Sequence, residues 1–153
     1  MADKIFSKPD GIDKSEFEEG ALFAPRFDDD GLIVSVVLDN NTSALLMVAY
    51  MNDVALEKTL TTGFAHYWSR SRQKLWCKGE ESGNTQEVVQ VRTDCDQDVI
   101  ELRVNQRGAG VACHTGRYSC FYRVVEGTEG TWALTHDEDM KPQFAPSEVY
   151  KKD

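Results

Sequence analysis

Two alternating runs flank a cluster of carboxylates, and this arrangement constrains the fold more than any other part of the chain. Val89 and Val91 alternate with Gln90 and Arg92, and Ile100, Leu102 and Val104 alternate with Glu101 and Arg103. A period of two puts the apolar side chains of each run on one face, so both are expected to be strands with one side buried. Between them lies Asp94-Cys-Asp-Gln-Asp98, which holds three carboxylates and a thiol. Like charges this close need cations. An EF-hand loop also begins with alternating acids, but it requires Gly at its sixth position and Glu at its twelfth, where this chain has Val99 and Asn105. In extended geometry Asp94 and Asp98 would stand roughly 13 Å apart at about 3.3 Å per residue, so the segment must curl if one ion is to take all three carboxylates. Oxygen-only ligation of that kind suits magnesium, with water completing an octahedron. The competing reading is a solvated acidic turn.

Elsewhere the elements follow from local chemistry. Residues 31–38 are rich in β-branched side chains, Asp39-Asn-Asn41 is turn chemistry, and residues 44–50 read as a returning strand. Asn52 can cap a helix over 53–62, with Leu56 and Leu60 on one face and Gly63 as its left-handed stop. Residues 64–68 are expected to be extended, 80–84 a loop, 119–125 a strand, and 127–130 a turn into 131–134. The whole is expected to be a single compact α+β domain, mainly antiparallel sheet with one clear helix. It comprises an irregular amino-terminal arm (1–26), the folded domain (27–135) and a polar carboxy-terminal tail (136–153).

A net charge of -9 argues against nucleic acid as a partner, since phosphate tracking needs a broad basic surface. No apolar run approaches the roughly 20 residues that span a bilayer, and the first residues lack a basic segment followed by an apolar one. A cytoplasmic protein without membrane contact is expected. Cysteines at 77, 95, 113 and 120 are then reduced thiols or metal ligands rather than disulfides. In Cys113-His-Thr-Gly-Arg-Tyr-Ser-Cys120, Thr115 and Gly116 permit a turn that returns both thiols to one metal. With Cys95 they would fill three positions on zinc and leave the fourth for water, the arrangement of a catalytic site. Buried, inert thiols are the alternative. Three thiolates would leave such a site negative, which makes a proton-transfer group useful, and His114 is the candidate catalytic residue.

Against this acidic background, Ser69-Arg-Ser-Arg-Gln-Lys-Leu-Trp-Cys-Lys78 has no acidic residue. Arg70, Arg72, Lys74 and Lys78 suit phosphate oxygens, Ser71 adds a donor, and Trp68 or Trp76 can stack on a base. A solvated basic face is the alternative. No Walker loop occurs, and Gly108-Ala-Gly110 lacks the third glycine of a dinucleotide fingerprint, where Cys113 stands.

Taken together, these segments resemble the phosphoribosyl-AMP cyclohydrolase family of histidine biosynthesis. The resemblance rests on Leu46-Met-Val-Ala-Tyr-Met-Asn52, His66-Tyr-Trp-Ser-Arg-Ser-Arg-Gln-Lys-Leu-Trp76, Lys78-Gly-Glu-Glu-Ser-Gly83, the acidic pentapeptide, and Ala112-Cys-His-Thr-Gly116 with Ser119-Cys-Phe-Tyr-Arg123. It implies an intimate homodimer with zinc shared between subunits, Cys95 coming from one and Cys113 with Cys120 from the other. It also implies magnesium at Asp94, Asp96 and Asp98. The implied substrate is an adenine nucleotide carrying a second phosphoribosyl group on N1, in which zinc-activated water attacks C6 and the ring opens at the C6–N1 bond. Two features depart from the family pattern. Cys77 stands where histidine is expected, and the loop at 106–112 is longer than usual. Too few residues follow 124 for a fused second domain, so a single activity is expected. A zinc nucleotide deaminase would use related chemistry but should carry H-x-E and P-C-x-x-C signatures. A non-catalytic zinc-binding module would close its site with Cys77.

Overall fold

The computed structural model describes residues 5–149, so residues 1–4 of the expected arm and 150–153 of the tail lie outside the described residues. Strands β1 (Ile33–Asp39) and β2 (Leu45–Met51) pair antiparallel, and Gly31, at φ 76°, turns the chain into β1. Helix α2 (Asp53–Thr62) follows a shorter α1 (Lys14–Glu19) in chain order. The Asn52 side chain accepts the Ala55 N–H, and Gly63 ends α2 at φ 80°. Both stops lie where capping chemistry predicts them. Strands β3 (His66–Ser69), β4 (Lys74–Cys77), β5 (Gln86–Thr93) and β6 (Val99–Gln106) complete a six-stranded sheet in the order β4-β3-β2-β1-β6-β5.

The sheet is mixed. β1 runs parallel to β6, and every other pairing is antiparallel. It also curls. Phe64 bridges Glu87, the Ala65 N–H donates to Gln86 O at 3.0 Å, and Val88 N–H donates to Gly63 O at 2.8 Å, so the free edge of β5 returns toward the start of β3. Inside the curl lie Ile33, Val37, Leu46, Ile100, Leu102 and Val104, closed on one side by Ala55 and Leu56 of α2. Tyr67 is buried with them, and its hydroxyl donates to Gln86 Oε1 at 2.6 Å, which satisfies two polar groups that burial would otherwise leave costly.

Several expectations need correction. The arm is not wholly irregular, because Asp13 caps α1 by accepting the Glu16 N–H at 2.8 Å. Lys74–Cys77 of the basic island, to which the sequence assigned no element, forms β4 and pairs with β3. The strand expected at 119–125 begins only at Arg123, because the Cys120 N–H and the Ser119 hydroxyl are taken by Leu46 O and Leu45 O, both at 2.7 Å. From there β7 (Arg123–Thr128) and β8 (Thr131–His136) form a separate two-stranded sheet whose Val125, Trp132 and Leu134 are exposed. The tail, whose described part carries the short helix α3 (Pro146–Val149), folds back on residues 116–117: Gln143 N–H donates to Gly116 O at 2.8 Å and Arg117 Nε to Met140 O at 3.0 Å. Among the described residues, no helix is long and apolar enough to cross a membrane.

Candidate functional site

The acidic pentapeptide forms the turn between β5 and β6, and it curls. Asp94 Oδ1 accepts the Asp98 and Val99 N–H groups at 3.0 and 3.1 Å, and Gln97 adopts a left-handed φ of 58°. Asp94, Asp96 and Asp98 each offer an oxygen within 4.8 Å of the other two, the only such group of three or more His, Cys, Asp or Glu ligands among the described residues. Hydrogen bonds with Asp94 and Asp96, reinforced by their charges, push the Asp98 carboxyl up to about 6, while bonds from Asp98 and Asp94 hold Asp96 below its ordinary value. Three carboxylates this close must share either protons or a cation. An exposed cluster of hard oxygen donors suits magnesium.

The thiol loop is built from its own backbone. Ala112 N–H donates to Tyr118 O and Cys113 N–H to Arg117 O, both at 3.1 Å, and Gly116 N–H returns to Cys113 O at 3.0 Å. Tyr118 then ties the loop to the end of β1, its hydroxyl donating to Asp39 Oδ2 at 2.6 Å. Cys113 and Cys120 consequently meet. The Cys120 thiol donates to Cys113, which, with the Thr115 hydroxyl at 3.1 Å, lowers Cys113 to about 5 against the opposing effect of burial, while Cys120 is pushed up by the same bond. Two adjacent soft donors sharing one proton suit zinc, which binds thiolates. Cys95 is exposed on the acidic turn, in a hollow of about 300 Å3 walled by arm residues including Phe17 and Leu22. Within one chain the three thiols do not form a cluster within 4.8 Å.

A cavity of about 240 Å3 adjoins the thiol pair, lined by Met47, Arg72, Trp76, Lys78, His114 and Cys120, with Cys77 also on its wall. A second hollow of about 470 Å3 shares Arg72 and Trp76 and adds Arg70 and Ser71. Lys74 is exposed on β4 and lines neither hollow. The turn from β3 to β4 orients the cations. The Ser69 hydroxyl accepts from Arg72 N at 3.3 Å and Nε at 3.4 Å, and the Arg70 guanidinium lies 4.0 Å over the Tyr50 ring. Lys78 is only 6% exposed, so its ammonium lies in a largely desolvated place. Burial pulls its pKa down, while Cys120 and Cys113 pull it up. Gly79 makes that placement possible: at φ 84°, a Cβ there would lie 2.4 Å from the Asn84 carbonyl carbon. His114 is exposed on the cavity wall.

Charge contrast missed three parts of this neighbourhood. Ser82, Glu80 and Glu81 line the cavity although their segment reads as a plain loop. Asn84 is buried and accepts the Ala109 N–H at 2.8 Å, holding the long 106–112 loop. Tyr118 carries no signal of its own in the sequence. The ordered motif Lys78-Gly-Glu-Glu-Ser-Gly83 was the available clue to the first of these.

The sequence is similar to those of known proteins. The family pattern described as phosphoribosyl-AMP cyclohydrolase matches residues 47–122, which hold the basic turn, the acidic turn and the thiol loop. The phosphoribosyl-AMP cyclohydrolase of Chelativorans sp. (strain BNC1) is 56% identical over 137 residues, covering 90% of this chain and 99% of that protein. Its counterpart in Brucella abortus (strain S19) is 59% identical over 127 residues, 83% of this chain and 91% of that protein. That of Mesorhizobium japonicum is 56% identical over 140 residues, 92% of this chain and 91% of that protein. With identity this high over nearly the whole of these relatives, and the same three site segments inside the matched region, the chain belongs to the phosphoribosyl-AMP cyclohydrolase family.

Proposed function

We propose that this chain hydrolyses phosphoribosyl-AMP, opening its adenine ring at the C6–N1 bond, as a step of histidine biosynthesis. The observation that carries this reading is the single cavity that gathers Cys120 of the thiol pair, His114, and the cation–aromatic set Arg72, Lys78 and Trp76. The guanidinium of Arg72 and the ammonium of Lys78 supply positive charge for phosphate oxygens, with Arg70 and Ser71 continuing the surface into the adjoining hollow. Trp76 offers a face to the base. His114, on the cavity wall, would give or take the proton as the ring opens. Cys95, Cys113 and Cys120 would hold zinc, which when bound supplies the Lewis acidity that makes water nucleophilic near neutral pH. Asp94, Asp96 and Asp98 would hold magnesium.

The separation of Cys95 from the Cys113–Cys120 pair within one chain supports a homodimer in which each zinc takes ligands from both subunits. All four cysteines are unpaired, which favours a reducing compartment such as the cytoplasm. The test is turnover of phosphoribosyl-AMP, with and without a zinc chelator, by protein loaded with zinc and magnesium. Intact substrate after incubation would sink the activity, and ammonia release would point to a deaminase instead. Co-refolding inactive Cys95→Ser with inactive Cys113→Ser should restore activity, because the mixed dimer keeps one complete ligand set. Loaded variants that stay inactive when mixed would refute sharing.

A further inference from the structure

The amino-terminal arm is fastened to the acidic turn by one side chain. Gln97 is 5% exposed, and its side chain points away from the three carboxylates that surround it in sequence. Its Oε1 accepts the Ala24 N–H at 2.8 Å, and its Nε2 donates to Phe17 O at 3.3 Å and Leu22 O at 3.2 Å. Its own carbonyl accepts the Arg26 N–H at 2.7 Å. Arg26 in turn lies 4.1 Å over the Phe17 ring, closing the arm on itself. The hollow holding Cys95 and Asp94 therefore has the arm as its opposite wall.

An acidic turn on its own has reasons to open. Its carboxylates repel one another, and a non-glycine residue at φ 58° holds a strained backbone conformation. Gln97 is the residue that bears the strain and also the residue whose bonds to the arm hold it there. We propose that Gln97 is a positioning residue, and that residues 17–26 belong to the active-site scaffold because they preset the spacing of the Asp94, Asp96 and Asp98 oxygens for a divalent cation. This rests on the reading of those three residues as the magnesium site. Cation binding and arm order are then two sides of one equilibrium, so each must strengthen the other.

Amide hydrogen exchange on the zinc-loaded full chain, titrated with magnesium chloride, tests this without any substitution. The Ala24 and Arg26 amides should exchange several-fold more slowly once magnesium saturates. Gln97→Met, which keeps the length of the side chain but none of its hydrogen bonds, should raise the magnesium concentration for half-maximal activity by roughly tenfold. Excess magnesium should recover the rate, and zinc content should not change. Magnesium binding with unaltered arm amides, or a variant whose folded fraction falls while its magnesium dependence stays put, overturns this proposal and leaves the magnesium site standing. A wild-type chain that binds no magnesium overturns both.

Discussion

Tyr118→Phe removes a single oxygen from the strut between the thiol loop and the end of β1. The hydroxyl donates to Asp39 Oδ2 at 2.6 Å and lies 2.9 Å from Thr42 Oγ1. A hydrogen bond to a charged partner contributes about 1.5–3 kcal/mol. The lower end applies here, because Asp39 is only half-buried and its Oδ1 keeps the Asn41 N–H at 2.8 Å. A loss of about 1.5 kcal/mol lowers Tm by roughly 3–6 °C for a domain of this size. The pH dependence has a definite sign. Burial pushes the Asp39 carboxyl up, but donation from Tyr118 and from the Asn41 and Thr42 backbone outweighs it, leaving the group below its ordinary 3.8. A depressed carboxyl contributes stability above 3.8 that is lost as pH falls through the lower folded value. Burial and Asp39 raise Tyr118 above its ordinary 10, so its contribution is present below 10 and lost as pH rises through the higher folded value. The deficit of Tyr118→Phe should therefore be full between about pH 5 and 9 and shrink on both sides. Thermal unfolding by circular dichroism, at fixed protein and metal concentrations, measures it. A deficit that is flat with pH, or below about 0.5 kcal/mol at pH 7, would refute the strut.

Gly116→Ala puts a Cβ 2.5 Å from Phe144 O at a residue whose φ is 84°, so the tail must leave the thiol loop. The Gln143 amide should then lose its protection from hydrogen exchange, and stability should fall by about 1–3 kcal/mol. His114→Ala should lower turnover by about 100-fold while zinc content, read by atomic emission, stays near that of the parent. Equal losses of metal and rate would remove its proton-transfer role. Cys77→Ser should keep the zinc that Cys120→Ser loses, even though both residues line the same cavity. Equal zinc loss from the two would mean a closed four-thiol site.

The parts of the fold legible in the sequence are those whose signal is local. Alternation announced β6, whose Ile100, Leu102 and Val104 are buried, but it gave only the existence of β5: a bulge between Val88 and Gln90 leaves Val89 50% exposed, against the expected shared face with Val91. Asn52 and Gly63 bounded α2 because capping acts over a single turn. The parallel pairing of β1 with β6 left no such mark, since it is chosen by which strands can share a core across a long crossover. The curl of the acidic turn was expected from reach alone, on the condition that one ion takes all three carboxylates. The role of Gln97 was not, because a polar residue among aspartates reads as solvent-facing until the arm that buries it is in view. Lys78 read as a cation suited to phosphate, with a solvated face as the alternative, and nothing in the sequence announced that it is buried. Its burial depends on Gly79 pressing against the backbone at Asn84 and Thr85, a contact that no spacing rule anticipates.

Charge gives the divided thiols a further consequence. Cys113 and Cys120 keep company with Lys78, while Cys95 sits among three carboxylates, in a chain of net charge -9. Two copies of such a chain repel overall. The proposed sharing of zinc, however, would bring the acidic turn of one subunit toward a cavity of the other that holds Arg72 and Lys78 beside Glu80 and Glu81, so attraction to the two cations and the shared metal would oppose repulsion between the remaining surfaces. Salt distinguishes the two contributions, because raising it from about 0.1 to 1 M shortens the screening length from about 10 to 3 Å. Long-range repulsion between exposed surfaces is screened first, whereas contacts inside a dehydrated interface are screened least. The proposed dimer should therefore hold or tighten as salt rises, and its association rate should depend on salt more weakly than that of a pair steered by opposite net charges. Sedimentation velocity across that range measures the association. Dissociation to monomers at high salt would place the main attraction on exposed charge pairs, against a buried site that both subunits complete.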